Sequence, residues 1–474
     1  MKEYDDSNPV SIEKYAKKLI GKTFADVCEE DKYSYPSEIH EESEYRVSHE
    51  NKRRKGGLGE LIEERYFHYA ANNDARADFE KAGVELKVTP YKINKNNTRA
   101  AKERLILTKI DYNAVVNESF EESHFWEKSR LILLIYYLYQ KEIKNRLDYR
   151  IDYVKLFTPP DKDLEIIKQD YYTIVNKIKA GKAHELSESD TLYLGAATKA
   201  ATSEDVTTQP YSDVPAKPRA FAFKNSYMTY VLNKYIIPGK NTYEPILKDD
   251  SKSNDLEDFV TERIDSFKGY TIEKLCEKFE IDISKRKPKN LESMLAYRIL
   301  GVNNNKAEEF EKANIVVKTI RLTNKNTISE SMSFPTIKYK ELVEETWDDS
   351  KFGNYLRETR FLFVVYKYDK NNDLRLLGSQ FWNIPYKDLE ENVRKVWEKT
   401  KKVLLDGLEI VQTSQGRRTN FPKATENPVC HVRPHATTVN DVCELPDGRS
   451  YTKHCFWLNK SYILSQLDDK FKKD

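Results

Sequence analysis

The 474-residue chain is poor in cysteine and glycine and nearly without net charge. Its five cysteines, Cys28, Cys276, Cys430, Cys443 and Cys455, are dispersed and form no C-x-x-C pair. An odd, scattered set excludes a disulfide framework and a thiolate zinc site, and suits a reducing compartment. Glycine occurs 15 times and tyrosine 31 times, a balance that excludes a flexible low-complexity chain. Charged residues make up 33%, yet the net charge is only +2, so any nucleic-acid-binding surface has to be local. No apolar run is long enough for a membrane span, and the start MKEYDDSNPV lacks a signal-peptide core. A cytoplasmic protein with no membrane partner is expected.

What the chain does have is internal repetition. FEKAGVELK at Phe79 returns as FEKANIVVK at Phe310, an offset of 310 − 79 = 231. EKSRLILLIYY at Glu127 returns as RETRFLFVVYK at Arg357, offset by 230. SIEK at Ser11 resembles TIEK at Thr271, FEESHF at Phe120 resembles WDDSKF at Trp347, ATKAAT at Ala197 resembles RPHATT at Arg433, and FKNSYMTYVL at Phe223 resembles LNKSYILSQL at Leu458. The shared order of these matches predicts two tandem copies of one fold. The Pro- and Gly-punctuated stretch from Pro238 reads as a linker. The expected domains are 1–237, a linker at 238–270, and 271–474. Within a copy, GLGELIEERYFHYAANN has helical spacing, GVELKVTPY alternates like a strand, and RLILLIYYLY reads as a buried central strand. FKNSYMTYVLNKYII reads as a helix ending at Pro238. The expected class is α/β, with a central mixed sheet flanked by helices.

Chemistry is expected where strand alternation gathers unlike charges. Val84, Leu86 and Val88 should face the core, so Glu85 and Lys87 project together on the other side. Asp78 lies just upstream. Two converging carboxylates suit Mg²⁺, which keeps several waters and takes further ligands from a substrate phosphate. A nearby ammonium can orient or deprotonate a water, or stabilise charge on the phosphorus. The second copy keeps Lys318 but carries Val316 in place of Glu85 and Glu309 in place of Asp78. A valine there suits closure of a pocket that no longer holds a metal. Of the upstream acids Glu60, Glu63 and Glu64, Glu63 is preferred. Aligned on Arg65 and Arg298, the second copy has Ala296 at its position.

Gly56-x-x-Gly59-x-x-x-Glu63, then Asp78, then AGVELK at Ala82 to Lys87 resemble the motif of the MutH-like nucleases, which have the PD-(D/E)xK restriction-endonuclease fold. HELSE at His184, QPYSD at Gln209 and VKT at Val317 are also similar to GATC-cutting type II members of that group. The resemblance implies Mg²⁺-dependent cleavage of duplex DNA at GATC. It implies a catalytic set of Glu63, Asp78, Glu85 and Lys87, with metal held by Asp78, Glu85 and Glu63. Lys128 in WEKSRLILL takes the place of a further family lysine. There is one extra residue between Glu63 and Asp78 compared with the family. Ala222 in PRAFAF stands where the mismatch-repair relatives have an aromatic, which puts a methylation response in question.

The resemblance also assigns YLGAATKAAT, Tyr193 to Thr202, to base contacts, with Thr198 and Lys199 as readers, since lysine donates well to guanine O6 and N7. Arg433 and His435 occupy the corresponding place in the second copy. The run Lys52 to Lys55 and the loop NKNNTRAAKER offer phosphate contacts. The second copy therefore keeps DNA-reading groups without metal-binding ones, which implies an effector domain that binds a second site. One acidic cluster per chain and two strands per palindrome imply a transient dimer on DNA or two successive cuts. The competing readings are a strand-nicking repair endonuclease, disfavoured by the second copy and Ala222, and a non-catalytic DNA-binding regulator, disfavoured by the intact acids.

Overall fold

The computed structural model describes residues 3–34, 57–69, 76–199, 204–237, 243–247, 255–284, 287–303, 306–414, 416–438 and 440–472. The chain divides into two compact units, Met1–Thr242 with Glu311–Asn314, and Tyr243–Phe310 with Ile315–Asp474. Among the described residues no helix is long and apolar enough to cross a membrane.

In the first unit, helices α1 (Pro9–Ala16), α2 (Phe24–Ser34) and α3 (Gly57–Leu61, continued by a π-turn at Ile62–Tyr66) precede strand β1 (Glu85–Ile93). Strands β2 (Arg99–Ala101) and β3 (Leu105–Lys109), helix α4 (His124–Ser129), and strands β4 (Ile132–Leu138) and β5 (Ile151–Phe157) follow. The main sheet runs β2-β1-β4-β5, with β1 parallel to β4 and β5 antiparallel to it. β4 is thus the buried central strand its unbroken apolar run predicts. Leu86, Leu133, Ile135 and Ile151 form one core with Phe24, Leu58, Leu61 and Ile62 from the helices.

A second sheet has little sequence signal. After helix α5 (Asp161–Lys179) come β6 (Leu194–Thr198), the hairpin β7 (Thr207–Gln209) and β8 (Ser212–Ala216), and β9 (Arg219–Phe223). The order is β3-β9-β6, all antiparallel. LGAAT and RAFAF are short and rich in alanine, a weak strand former, so burial rather than propensity makes them strands. Asp170 of α5, fully enclosed, accepts hydrogen bonds from the backbone N–H groups of Leu192, Tyr193 and Leu194 at 2.7, 2.6 and 2.8 Å and so anchors the start of β6. The unit ends with α6 (Asn225–Val231) and a π-turn at Leu232–Ile236.

Apart from β2, which has no counterpart in its main sheet, the second unit has the same strand order and directions. β10 (Ile315–Leu322), β12 (Arg360–Tyr368) and β13 (Leu374–Trp382) form one sheet, with the first pair parallel and the second antiparallel. β11 (Met332–Thr336), β15 (His454–Leu458) and β14 (Cys430–Pro434) form the other. Glu85 lies opposite Ile132, and Val316 opposite Phe361. These pairs give offsets of 316 − 85 = 231 and 361 − 132 = 229, so the β4 match read at 230 is one residue out of register. The match of Ser11 with Thr271 is also displaced. Thr23, not Ser11, has the setting of Thr271: each bridges the antiparallel strand of the main sheet, at Arg150 and Arg375. Gly21 N–H donates to Ile151 and Gly269 N–H to Leu376, both at 2.8 Å. A four-residue match without a hydrogen-bonding anchor misled the alignment.

The stretch 238–270 is not simply a connector. Its described part contains helix α7 (Leu256–Asp265), and the N–H groups of Ile246 and Leu247 donate to the Glu309 carboxylate at 2.9 and 3.0 Å. Polar composition hid an amphipathic helix whose Leu256, Val260 and Ile264 are buried.

Candidate active site

A tight turn builds the site. Phe79 and Val84 pair across it, with Phe79 N–H donating to Val84 at 2.9 Å. Gly83 closes it at φ +63°, and an added Cβ would stand 2.7 Å from the Arg130 guanidinium. The second copy solves the same backbone with Asn314 at φ +53°, a residue that tolerates the left-handed region. The turn folds Asp78 back along β1, where its Oδ2 accepts the Leu86 N–H at 2.8 Å. Glu85 is thereby flanked by a second carboxylate.

Leu86 joins the apolar core, as alternation requires, and Glu85 and Lys87 share the other side. That side is not wet: Glu85 is only 2% exposed. Its Oε1 lies 2.6 Å from Lys87 Nζ and 3.6 Å from Lys128 Nζ. Lys128 comes from the last turn of α4, a short helix capped by the Ser123 hydroxyl and running directly into β4. The other oxygen, Oε2, is buried with no hydrogen-bond partner among the described residues. Leaving a charged acceptor so is costly unless something else occupies the space, and a divalent cation is a fitting occupant. Among the described residues no three His, Cys, Asp or Glu side chains form a complete cage.

Glu63 sits in the π-turn after α3, half-buried. A π-turn holds an extra residue in a helix and recurs at functional sites. Burial first, and then the Asp78 charge, push the Glu63 carboxyl up to about 7, with Lys87 opposing. Burial and the Glu85 charge likewise raise Asp78. Asp78, Glu85, Lys87 and Lys128 meet at the start of β1, and Glu63 bears on Asp78 through its charge, but among the described residues Glu63, Asp78 and Glu85 do not gather as one three-carboxylate metal site.

These shifts set a pH dependence with a definite sign. Glu63 gives up its proton near 4.5 ordinarily and near 7 in the fold. The metal-free fold therefore holds extra protons across that window, and the stability they contribute is lost as pH rises through it. A divalent cation held beside Glu63 would need the ionised form, so affinity for it should rise with pH up to about 7, and binding should release protons. Calorimetry in buffers of different ionisation enthalpy measures this. Glu63→Gln should flatten both the pH dependence of affinity and that of the metal-free melting midpoint.

Two neighbours were not read from the sequence. Arg65, in the Glu63 turn, pairs with Asp31 of α2 at 3.1 Å with both side chains buried. Tyr69 buries a hydroxyl beside the acidic cluster. Neither has a spacing signal, because both contacts are made through the fold.

The second unit has the frame without the acids. Val316 packs on its core, Ala296 is buried, and Glu309 holds the Ile246 and Leu247 backbone. Lys318 Nζ donates to the Ser333 carbonyl at 3.3 Å and lies over the Phe334 ring, with burial lowering its proton affinity.

The expected base readers end equivalent edge strands. Thr198 and Lys199 are exposed at the end of β6, where Lys199 N–H donates to Pro218 at 2.8 Å. In the second unit His435 N–H donates to Lys453 at 2.9 Å after β14. Exposed Arg433 stacks 4.6 Å from the centre of the Trp457 ring, and His435 meets that ring edge-on at 5.6 Å. Ala222 is buried in β9 opposite Gly195. Of the loop expected on phosphate, Lys102 lies over Tyr139 at 4.2 Å and Arg104 pairs with Glu188, while Lys95 and Arg99 are exposed. Lys52 to Lys55 and Gly56 lie outside the described residues.

Comparison with known proteins agrees with this arrangement. The family model for the DNA mismatch repair enzyme MutH matches twice, at residues 67–170 and 300–395. The type II restriction enzyme Sau3AI of Staphylococcus aureus is 37% identical over 468 residues, 88% of this chain and 93% of that enzyme. The DNA mismatch repair protein MutH of Vibrio campbellii is 24% identical over 47% of this chain and 92% of its own length. That of Shewanella baltica is 27% identical over 39% and 81%. A likeness that runs through both units, added to two MutH matches, places this chain in the MutH-like family of type II restriction endonucleases, and it is a site-specific deoxyribonuclease of that family.

Proposed function

We propose that the enzyme hydrolyses both strands of duplex DNA at GATC with Mg²⁺, using the first unit for chemistry. The buried, unpartnered Oε2 of Glu85, with Asp78 at its side and two lysines on its other oxygen, carries this reading. The cation would rest on Asp78 and Glu85 with Glu63 at its margin, and would supply charge neutralisation on the scissile phosphate. Lys87 Nζ is placed to orient the attacking water and to stabilise charge that develops on phosphorus. Lys128 supports Glu85 from the α4 side. The likeness to Sau3AI supports GATC as the sequence cut, and exposed Lys199 just after β6 suits guanine readout. Digesting plasmid with Mg²⁺ and sequencing the ends should give breaks at GATC on both strands. Nicked product alone would favour strand-specific repair chemistry.

Both units are read as PD-(D/E)xK copies, on their common strand order and directions. The second unit would bind a further GATC as an effector through Arg433 and His435. Its Lys318, with no acid partner among the described residues, and its Glu309, spent on backbone, support that division of labour. An uncleavable GATC duplex added in trans should speed cleavage of a one-site substrate several-fold in the parent enzyme. Arg433→Ala should lose that stimulation and keep basal cutting. Equal rates with and without the added duplex would remove the effector role.

A further inference from the structure

Tyr69 lies six residues beyond Glu63, and its N–H donates to the Glu63 carbonyl at 3.2 Å. That bond ties the tyrosine to the acidic turn. Its ring is held at the edge of Phe79, centroids 5.5 Å apart at 78°, and tilted against Phe67 at 6.4 Å. Phe79 is the residue next to Asp78, so the same aromatic cluster fixes both. The Tyr69 hydroxyl is shielded from solvent and makes no hydrogen bond among the described residues. Asp78, Glu63 and Glu85 all bear on it electrostatically, after burial, and keep its proton on the oxygen. The hydroxyl thus lies in the field of three carboxylates and, among the described residues, donates to none of them. Buried hydroxyls are normally satisfied, so an oxygen-bearing occupant beside it is implied.

We propose that the Tyr69 hydroxyl donates a hydrogen bond to a phosphate oxygen of the DNA backbone as it enters the acidic pocket. The proposal rests on the nuclease reading and adds a substrate-contacting group to it. A neutral donor fits this position. It can approach a phosphate already neutralised by Lys87 and the cation without repelling either. The cation's water shell offers the same acceptor chemistry, and the test separates the two sources.

Tyr69→Phe in the full chain removes one oxygen and leaves the aromatic packing. Single-turnover cleavage of a short GATC duplex at saturating Mg²⁺ and DNA is expected to fall about 10- to 100-fold. The melting midpoint should not fall, since the lost hydroxyl has no internal partner. Calorimetric Mg²⁺ affinity without DNA should be unchanged. A weaker Mg²⁺ affinity would assign the bond to the cation's waters and overturn the phosphate contact. An unchanged saturating rate would overturn the proposal outright. If the parent enzyme itself proved inert, the nuclease reading would fail separately. Affinity for the duplex in Ca²⁺ would then decide the proposal, with equal values for the two proteins overturning it.

Discussion

Glu85→Gln is expected to lower cleavage at saturating Mg²⁺ by about 10³-fold or more while leaving duplex binding in place. The glutamine keeps the size of the side chain and the oxygen that Lys87 approaches. It removes the negative charge and replaces the unpartnered oxygen by an amide donor, which no cation accepts as a ligand. A bound metal supplies several kcal/mol of transition-state stabilisation, and losing about 4 kcal/mol slows a reaction about 10³-fold. Binding survives because duplex affinity comes largely from phosphate contacts made by positive groups elsewhere. The metal-free fold should change little, because the substitution relieves the repulsion between Glu85 and Asp78 while weakening the pairing of Glu85 with Lys87 and Lys128. Single-turnover rates and gel-shift affinities in Ca²⁺ measure the two quantities. Loss of less than tenfold in rate would place the metal elsewhere. Parallel loss of rate and binding would show that Glu85 holds the fold rather than the ion.

Arg65→Ala is expected to be the most destabilising single change near the site. Arg65 is 3% exposed and its partner Asp31 4%. Truncating the arginine takes the guanidinium away from the buried Asp31 carboxylate, with His68 Nδ1 still 3.7 Å from its other oxygen, and breaking a buried pair costs about 3–5 kcal/mol. In a unit of this size each kcal/mol moves the midpoint by about 2–4 °C, so the drop should be about 6–20 °C. The transition to follow is the one that Mg²⁺ raises, since that identifies the unit bearing the cation. Replacing both partners, Asp31→Leu with Arg65→Met, should recover most of the loss, because an apolar pair of similar volume often matches a buried ion pair. A drop below about 2 °C for Arg65→Ala would mean that water reaches the pair. The catalytic consequence follows from chain position: Arg65 lies two residues after Glu63, so the pair ties the acidic turn to α2.

The site was legible to different depths for different residues. Glu85 and Lys87 could be read because a strand puts residues two apart on one side, a rule set by the backbone alone. Their pairing with Asp78 could be suspected from proximity in the chain, and the turn closed by Gly83 brings it about. The internal repeat added the replacement of Glu85 by Val316, which marked a pocket rather than a wet surface. Lys128 came only from resemblance, since no local rule links it to a strand some forty residues earlier. Tyr69 and the Asp31–Arg65 pair gave no signal. Their meaning depends on which elements pack together, and in one sequence a buried ion pair looks like two ordinary charges. The linker was misread for a related reason. Polar composition describes the exposed face of a helix and says little about its narrow buried stripe.

The linear sequence by itself determined the duplicated plan, the central strand of each copy and the side of β1 on which the acid and lysine stand. These follow from periodicity, which is local. Tertiary structure alone decided that this side is dry, that one oxygen of Glu85 has no hydrogen-bond partner among the described residues, and that Glu309 in the second copy is consumed by backbone amides. Burial and hydrogen-bond satisfaction are properties of three-dimensional neighbours, and strand alternation can say which way a side chain points without saying what it meets.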